Sequence, residues 1–168
     1  RLEALLKALL DGRAALAEAH HRTVPLLLKI APDLDAESVS DIASILRSTK
    51  LDGCIVSNTT IERPSTLKSA LRKEKGGLSG KPLMAPSTEI LRQLYRQTEG
   101  RIPLIGVGGI ASGADAYAKI KAGASLVQLY TALIYQGFGL VTRIKHELAT
   151  LLEKDGFGSI QNAVGKDA

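Results

Sequence analysis

Short apolar runs of strand length alternate along this chain with segments of helical periodicity, and that alternation restricts it to folds built on a parallel sheet flanked by helices. Leu2, Leu5, Leu6, Leu9 and Leu10 recur at helical spacing and predict an opening helix over 1–19. Pro25-Leu26-Leu27-Leu28-Lys29-Ile30-Ala31 is apolar except for Lys29 and is closed by Pro32, which predicts a buried strand near 25–31. Asp35 can cap a helix carrying Val39, Ile42 and Leu46, and Asp52-Gly53 leads into a second strand near 53–58. Residues 59–86 read as a long irregular connection, of a length that usually serves function or mobility. Ser87 is positioned to cap a helix bearing Ile90, Leu91, Leu94 and Tyr95, and a third strand is expected near 103–109. Ser112 and Asp115 form a capping box, a fourth strand is expected near 126–130, and a final helix (Val141, Ile144, Leu148, Leu151, Leu152) stops at Gly156.

Four strand-helix units fill residues 25–168, about 36 residues each, whereas an eight-unit barrel of roughly 250 residues needs about twice that. The expected architecture is therefore α/β, either a small open sheet or half of a barrel, and an opening helix with no strand before it favours the half. With 45% hydrophobic and 23% charged residues the chain can build a sizeable core, which excludes a disordered segment. The net charge of +5 is interspersed along helices and aromatics are only 4%, so nucleic-acid binding by base stacking is disfavoured. The single cysteine, Cys54, lies in an apolar run, pointing to a buried thiol and a reducing compartment; no ligand set for a metal is present. The longest uncharged stretch, Ala122 to Thr142, is 21 residues long. Its glycines, glutamines and threonines suit a buried strand followed by a turn better than a lipid-facing helix.

Several residues interrupt these patterns in ways that invite chemistry. Lys29 stands near the carboxyl end of an apolar strand, where an ammonium is costly to bury unless it faces a ligand or reaches the rim. Asn58-Thr59-Thr60 ends the second strand with an amide and two hydroxyls, able to read a polar ring or to make a plain turn. Gly76-Gly77-Leu78-Ser79-Gly80-Lys81-Pro82 can be a flexible lid or a backbone surface that a flat cofactor approaches closely. Gly106-Val107-Gly108-Gly109-Ile110-Ala111 fits the loose dinucleotide pattern, but the acidic residue wanted about 20 positions on is absent; Tyr130-Thr131 stands there. A phosphate held between the ends of the last two strands, as in eight-fold barrels, fits better, and a tight strand-to-helix turn is the simpler alternative. His20, His21 and His146 read as surface residues, and no nucleophilic triad is arranged.

Lys29-Ile30-Ala31-Pro32-Asp33-Leu34, Ser57-Asn58-Thr59-Thr60, Gly76 to Pro82, Ile105 to Gly109 and Ala122 to Tyr130, in this order and spacing, closely resemble class 2, quinone-dependent dihydroorotate dehydrogenase. The resemblance covers nearly the whole chain and the C-terminal half of that enzyme, a (β/α)8 TIM barrel. It implies oxidation of dihydroorotate to orotate in de novo pyrimidine biosynthesis, with flavin mononucleotide (FMN) as hydride acceptor and quinone as final electron acceptor. Lys29, Ser57, Gly80, Gly108, Gly109, Tyr130 and Thr131 are thereby assigned to FMN, whose phosphate lies at the helix starts after Gly109 and Tyr130. Asn58 and Thr59 are assigned to dihydroorotate or orotate. Ser57 replaces the threonine expected in the family and retains its hydroxyl. No catalytic residue is assigned within the chain. The family's serine base, the first half of its flavin site and the N-terminal region that meets quinone and membrane are expected before Arg1. The implied setting is the mitochondrial inner membrane, or alternatively the bacterial cytoplasmic membrane. Two further readings stand beside it: a phosphate-binding barrel isomerase or lyase, and a non-catalytic flavin-binding half that assembles with a partner half.

Overall fold

The computed structural model describes residues Arg1–Ala168. Helix α1 (Leu2–His20) leads to β1 (Leu27–Ile30), α2 (Ala36–Ser48) and β2 (Gly53–Val56). A long connection ending in a 3-10 turn (Lys81–Leu83) precedes α3 (Met84–Gln97), β3 (Leu104–Val107), α4 (Gly113–Lys121) and β4 (Ala124–Gln128). Helices α5 (Thr131–Gln136), α6 (Gly139–Lys154) and α7 (Ile160–Ala163) close the chain.

The four strands pair in parallel in the order β1-β2-β3-β4, with Lys29 opposite Ile55 and Val56 opposite Gly106. Because crossovers between parallel strands are right-handed, an order that never reverses puts every intervening helix on the same face of the sheet. That is the winding of a barrel; a doubly wound dinucleotide fold needs a reversal of strand order. Ile30, Cys54, Val56, Leu104 and Ala124 alternate onto the helix-covered face. There they pack with Val39, Leu46, Leu91 and Leu94 from α2 and α3. A second cluster joins α4, α6 and α7 through Ala116, Ile120, Leu140, Ile144, Leu148 and Ala163.

The four strand-helix units stand where the periodicity puts them, and Cys54 is buried. The strands are shorter than the apolar runs, because parallel pairing stops once the chain turns toward the next helix. The fourth also shifts: it begins at Ala124 and ends at Gln128, leaving Tyr130 as the residue before α5. It is not a buried strand, since Ser125, Leu126 and Gln128 are exposed along the sheet edge. Asp35 caps α2 by accepting from the Ser38 N–H at 2.9 Å, and hydrogen bonding by Ser38, through its hydroxyl first and its N–H second, holds the carboxyl below the usual range. Ser112 and Asp115 form the expected box on α4. Ser87 does not cap α3, which already begins at Met84; its hydroxyl lies inside the helix and donates to Leu83 O. The turns at α5 and α7 carry too few residues to show a period.

Lys119 on α4 is fully buried, and its ammonium donates to Ser87 Oγ on α3. Burial pushes its pKa down to about 7, against a smaller upward pull from Asp115 one turn earlier. An unfolded lysine keeps its proton to about pH 10.4. Between about 7 and 10.4 the unfolded chain therefore binds more protons than the folded one, and stability rises with pH across that window. Lys119→Met should flatten this rise, as read by urea unfolding between pH 6.5 and 9.5; an unchanged slope would mean that the lysine is already paired in the folded protein.

Candidate active site

Parallel pairing places the carboxyl ends of all four strands on one rim, so the segments that follow them converge there. Lys29, the third residue of β1, alternates away from buried Ile30 and leaves its ammonium exposed and without an ion pair on the inner face. Beyond β2 the pairing continues through the backbone: Ser57 N–H donates to Val107 O at 3.2 Å and Asn58 N–H to Ile30 O at 2.7 Å. The peptide between Val56 and Ser57 is cis. Ser57 is buried and its hydroxyl donates to Asn58 O. The Asn58 side-chain oxygen accepts from Thr59 N–H at 2.9 Å, which fixes the amide and leaves its NH2 group directed to no protein acceptor.

The long connection is tied to this rim by Thr60. Its backbone exchanges two hydrogen bonds with Leu78, and its buried hydroxyl donates to the Asp33 carboxylate, which also accepts from Ile61 N–H at 3.0 Å. Asp33 follows β1, so one carboxylate joins the Lys29, Asn58 and Gly77–Gly80 segments. Arg63 closes the outer part of the loop by donating to Glu74 O and Gly76 O. Gly77 is required where it stands, because a Cβ there would lie 1.9 Å from Thr59 Oγ1. Ser79 Oγ accepts from Thr131 Oγ1 at 3.0 Å and fastens the same loop to the start of α5.

Gly108 and Gly109 follow β3 with φ of 111° and 78°, a conformation that favours glycine. A Cβ on Gly109 would lie 2.6 Å from Met84 N, so the turn packs directly on the first residue of α3. Helix α4 begins only at Gly113, and the Ala111 N–H is taken by Asp115. The start of α4 therefore stands back from Gly109, whereas α5 begins immediately after Tyr130.

Lys29, Ser57, Asn58, Thr59, Gly80, Gly108, Gly109, Tyr130 and Thr131 all line one cleft of about 400 Å³. The three histidines are exposed and line none of it. Sequence reasoning gave Ser79 and Lys81 only as part of the glycine-rich segment, and missed Tyr135 and Gln136 on the cleft wall and the part Asp33 plays behind it. Asp33 had a readable signal: an acidic residue directly after the strand that carries Lys29. The lining combines the Lys29 cation at the β1 end, an amide and hydroxyls beside it, a second cation, Lys81, from the glycine-rich segment, and a glycine turn at the β3 end. No carboxylate, imidazole or thiol lines the cleft. Such a surface can bind and polarise a flat molecule that is polar at one end and anionic at the other.

The family model for dihydroorotate dehydrogenase matches residues 4–152. The chain is 55% identical over 166 residues to a dihydroorotate dehydrogenase (quinone) of Xanthobacter autotrophicus, covering 99% of this chain and 46% of that protein. It is 53% identical to the mitochondrial enzyme of that name from Oryza sativa (99% and 36%) and 52% identical to that from Mus musculus (99% and 42%). The structure of DHODH from Eimeria tenella in complex with ferulenol superposes with a TM-score of 0.94 at 40% identity, over 99% of this chain and 48% of that one. The chain thus spans less than half the length of these relatives. Four parallel strand-helix units wound as in a barrel, and a match along nearly the whole chain, lead to one assignment: the chain belongs to the dihydroorotate dehydrogenase family.

Proposed function

We propose that the protein oxidises dihydroorotate to orotate in pyrimidine biosynthesis, with FMN as hydride acceptor and a quinone as final electron acceptor. In this reading the 168 residues are the C-terminal half of a (β/α)8 barrel. The N-terminal half supplies the serine base and the region that meets quinone and membrane. The observation that carries the proposal is the convergence of all nine assigned residues on one cleft at the strand carboxyl ends. The relatives come from bacteria and from mitochondria, so the proposed setting is a quinone-bearing membrane, the mitochondrial inner membrane or the bacterial cytoplasmic membrane. No helix here is long and apolar enough to cross a membrane.

The residues present fit FMN. The Gly108-Gly109 turn, which carries no side chain of its own, lines the cleft together with Tyr130 and Thr131 at the start of α5, an arrangement suited to a phosphate. Gly80, with φ of 81°, offers backbone for close approach, and Ser57 and Thr131 offer hydroxyls. When bound, FMN supplies a two-electron acceptor for the hydride that leaves the substrate. Lys29 contributes a fixed positive charge at the β1 end, where it stabilises negative charge that develops during that transfer. Asn58 presents an amide already oriented by Thr59, able to bond the amide edge of the pyrimidine and hold the ring in position. Asp33 and Thr60 keep these segments in register with one another.

The complete protein should purify yellow with FMN bound, and anaerobic dihydroorotate should bleach it; colourless protein able to catalyse an isomerase or lyase reaction would overturn the proposal. Lys29→Ala should slow bleaching by about a hundredfold in stopped flow, the usual effect of removing one stabilising charge or donor from the transition state. An unchanged rate with flavin fully bound would make Lys29 a rim residue. Asn58→Ala should weaken orotate binding by about 1 to 3 kcal/mol while leaving flavin content unchanged, as measured by the spectral shift of bound flavin.

A further inference from the structure

The cleft accounts for Lys29 but leaves the other unusual lysine unexplained. Lys119 is 0% exposed, and no carboxylate lies within ion-pair distance of it. Buried charges are ordinarily held opposite a counter-charge, because desolvation otherwise outweighs everything the charge contributes. The groups around Lys119 do not supply one. Ser87 on α3 accepts its hydrogen bond, and Gly106 of β3, which has no side chain to offer, lies against its stem. Asp115, on its own helix, is committed to Ala111 N–H and Ser112 Oγ. On the other side of α4, Glu147 is engaged by Gly113 N–H and Arg143.

Lys119 is nonetheless aimed at a particular place. A Cβ on Gly106 would lie 3.1 Å from Lys119 Cδ, and a Cβ on Gly108 would lie 2.8 Å from Ser87 Oγ, the atom that receives the ammonium. The lysine therefore runs along the back of β3 and ends one hydroxyl beneath the glycine turn whose front faces the cleft. We propose that Lys119 is a positioning residue whose buried charge, acting through Ser87 and the Gly108-Gly109 turn, attracts a phosphate held on that turn and makes the cleft select FMN over the phosphate-free flavin, riboflavin. This rests on the FMN reading given above. Burial already pushes the group to about 7, as expected of a cation that has lost water and gained no anion. A phosphate across the turn supplies the missing partner without entering the core. Glycine at 106 and 108 is what lets the lysine stem and the Ser87 hydroxyl approach the strand so closely.

The test compares FMN with riboflavin in the complete protein stripped of flavin. Wild type should prefer FMN; Lys119→Met and Lys119→Gln should each lower FMN affinity about tenfold while changing riboflavin affinity less than about twofold, the size expected of one partly screened charge at this range. Gln keeps a donor for Ser87, so full recovery of FMN affinity in that variant alone would assign the effect to the hydrogen bond and overturn the charge. A parallel fall for both flavins, or no change for either, would also overturn it. Wild type that binds neither flavin, or binds both equally, would defeat the FMN reading itself. If neither variant folds, the wild type decides: the 13Cε resonance of Lys119 at pH 8 should move toward the ammonium position on adding FMN and stay in place on adding riboflavin, and identical responses to the two would reject the proposal.

Discussion

Everything at the cleft depends on the strand order running one way. With β1 to β4 paired in parallel and in sequence, the helices between the strands lie on one face and all the strand carboxyl ends lie on one rim. Lys29, Asn58, Gly108 and Tyr130 are separated by about a hundred positions in sequence and still meet, because each follows or ends a strand of the same sheet. Had the order reversed, as in a doubly wound sheet, helices would cover the inner face and Lys29 would be shut in among them.

The rim alone would leave four loose loops. They are joined by a few polar contacts that use short side chains. Asp33 holds the segment after β2 against the segment after β1 through Thr60 and Ile61, Thr60 pairs by its backbone with Leu78, and Ser79 meets Thr131 at α5. The chain of contacts runs from β1 to the end of β4 without a long or flexible side chain in it, so the cleft walls lose little side-chain freedom on forming. The glycine-rich segment between Gly76 and Gly80 is held by this chain at Leu78 and Ser79, and at Gly76 by Arg63. It is an anchored wall and not a free lid.

Much of this was legible in the residues, and the failures have physical causes. Apolar runs and helical spacing located all four strand-helix units, and the glycine, lysine and asparagine positions that broke those patterns are the ones that line the cleft. Strand limits were less legible, since pairing in a sheet is decided by neighbouring strands and an apolar run does not say where its partner ends. Ser87 illustrates a second difficulty. A serine before Ile90 and Leu91 has the local signature of a cap, but Pro82 and the 3-10 turn begin the helix earlier, and the hydroxyl is drawn inward to meet Lys119. Lys119 itself sits in a short helix beside Lys121, where a charged residue ordinarily faces water; only the packing of α4 against α3 and α6 shows that one lysine is buried while its neighbour at 121 is not.

The inner face of the sheet bears on how the cleft works. Leu27, Ile55 and Ile105 alternate onto it and are only partly covered, while Leu126, Ile134 and Phe138 stand exposed along the β4 side at 63%, 66% and 86%. Beyond the helix-covered layer, therefore, the sheet presents an apolar surface and two unpaired edges, which is an association hazard in a free-standing protein. In the proposed barrel, four further strands would pair with both edges and fill this face with side chains. Closing the barrel would do more than protect apolar area. Lys29 projects from the same face, and surrounding it with low-dielectric walls would strengthen its field at the cleft relative to its present solvent-facing position. Barrel closure and charge stabilisation are then one requirement: the surface that most needs covering carries the cation that gains most from being covered.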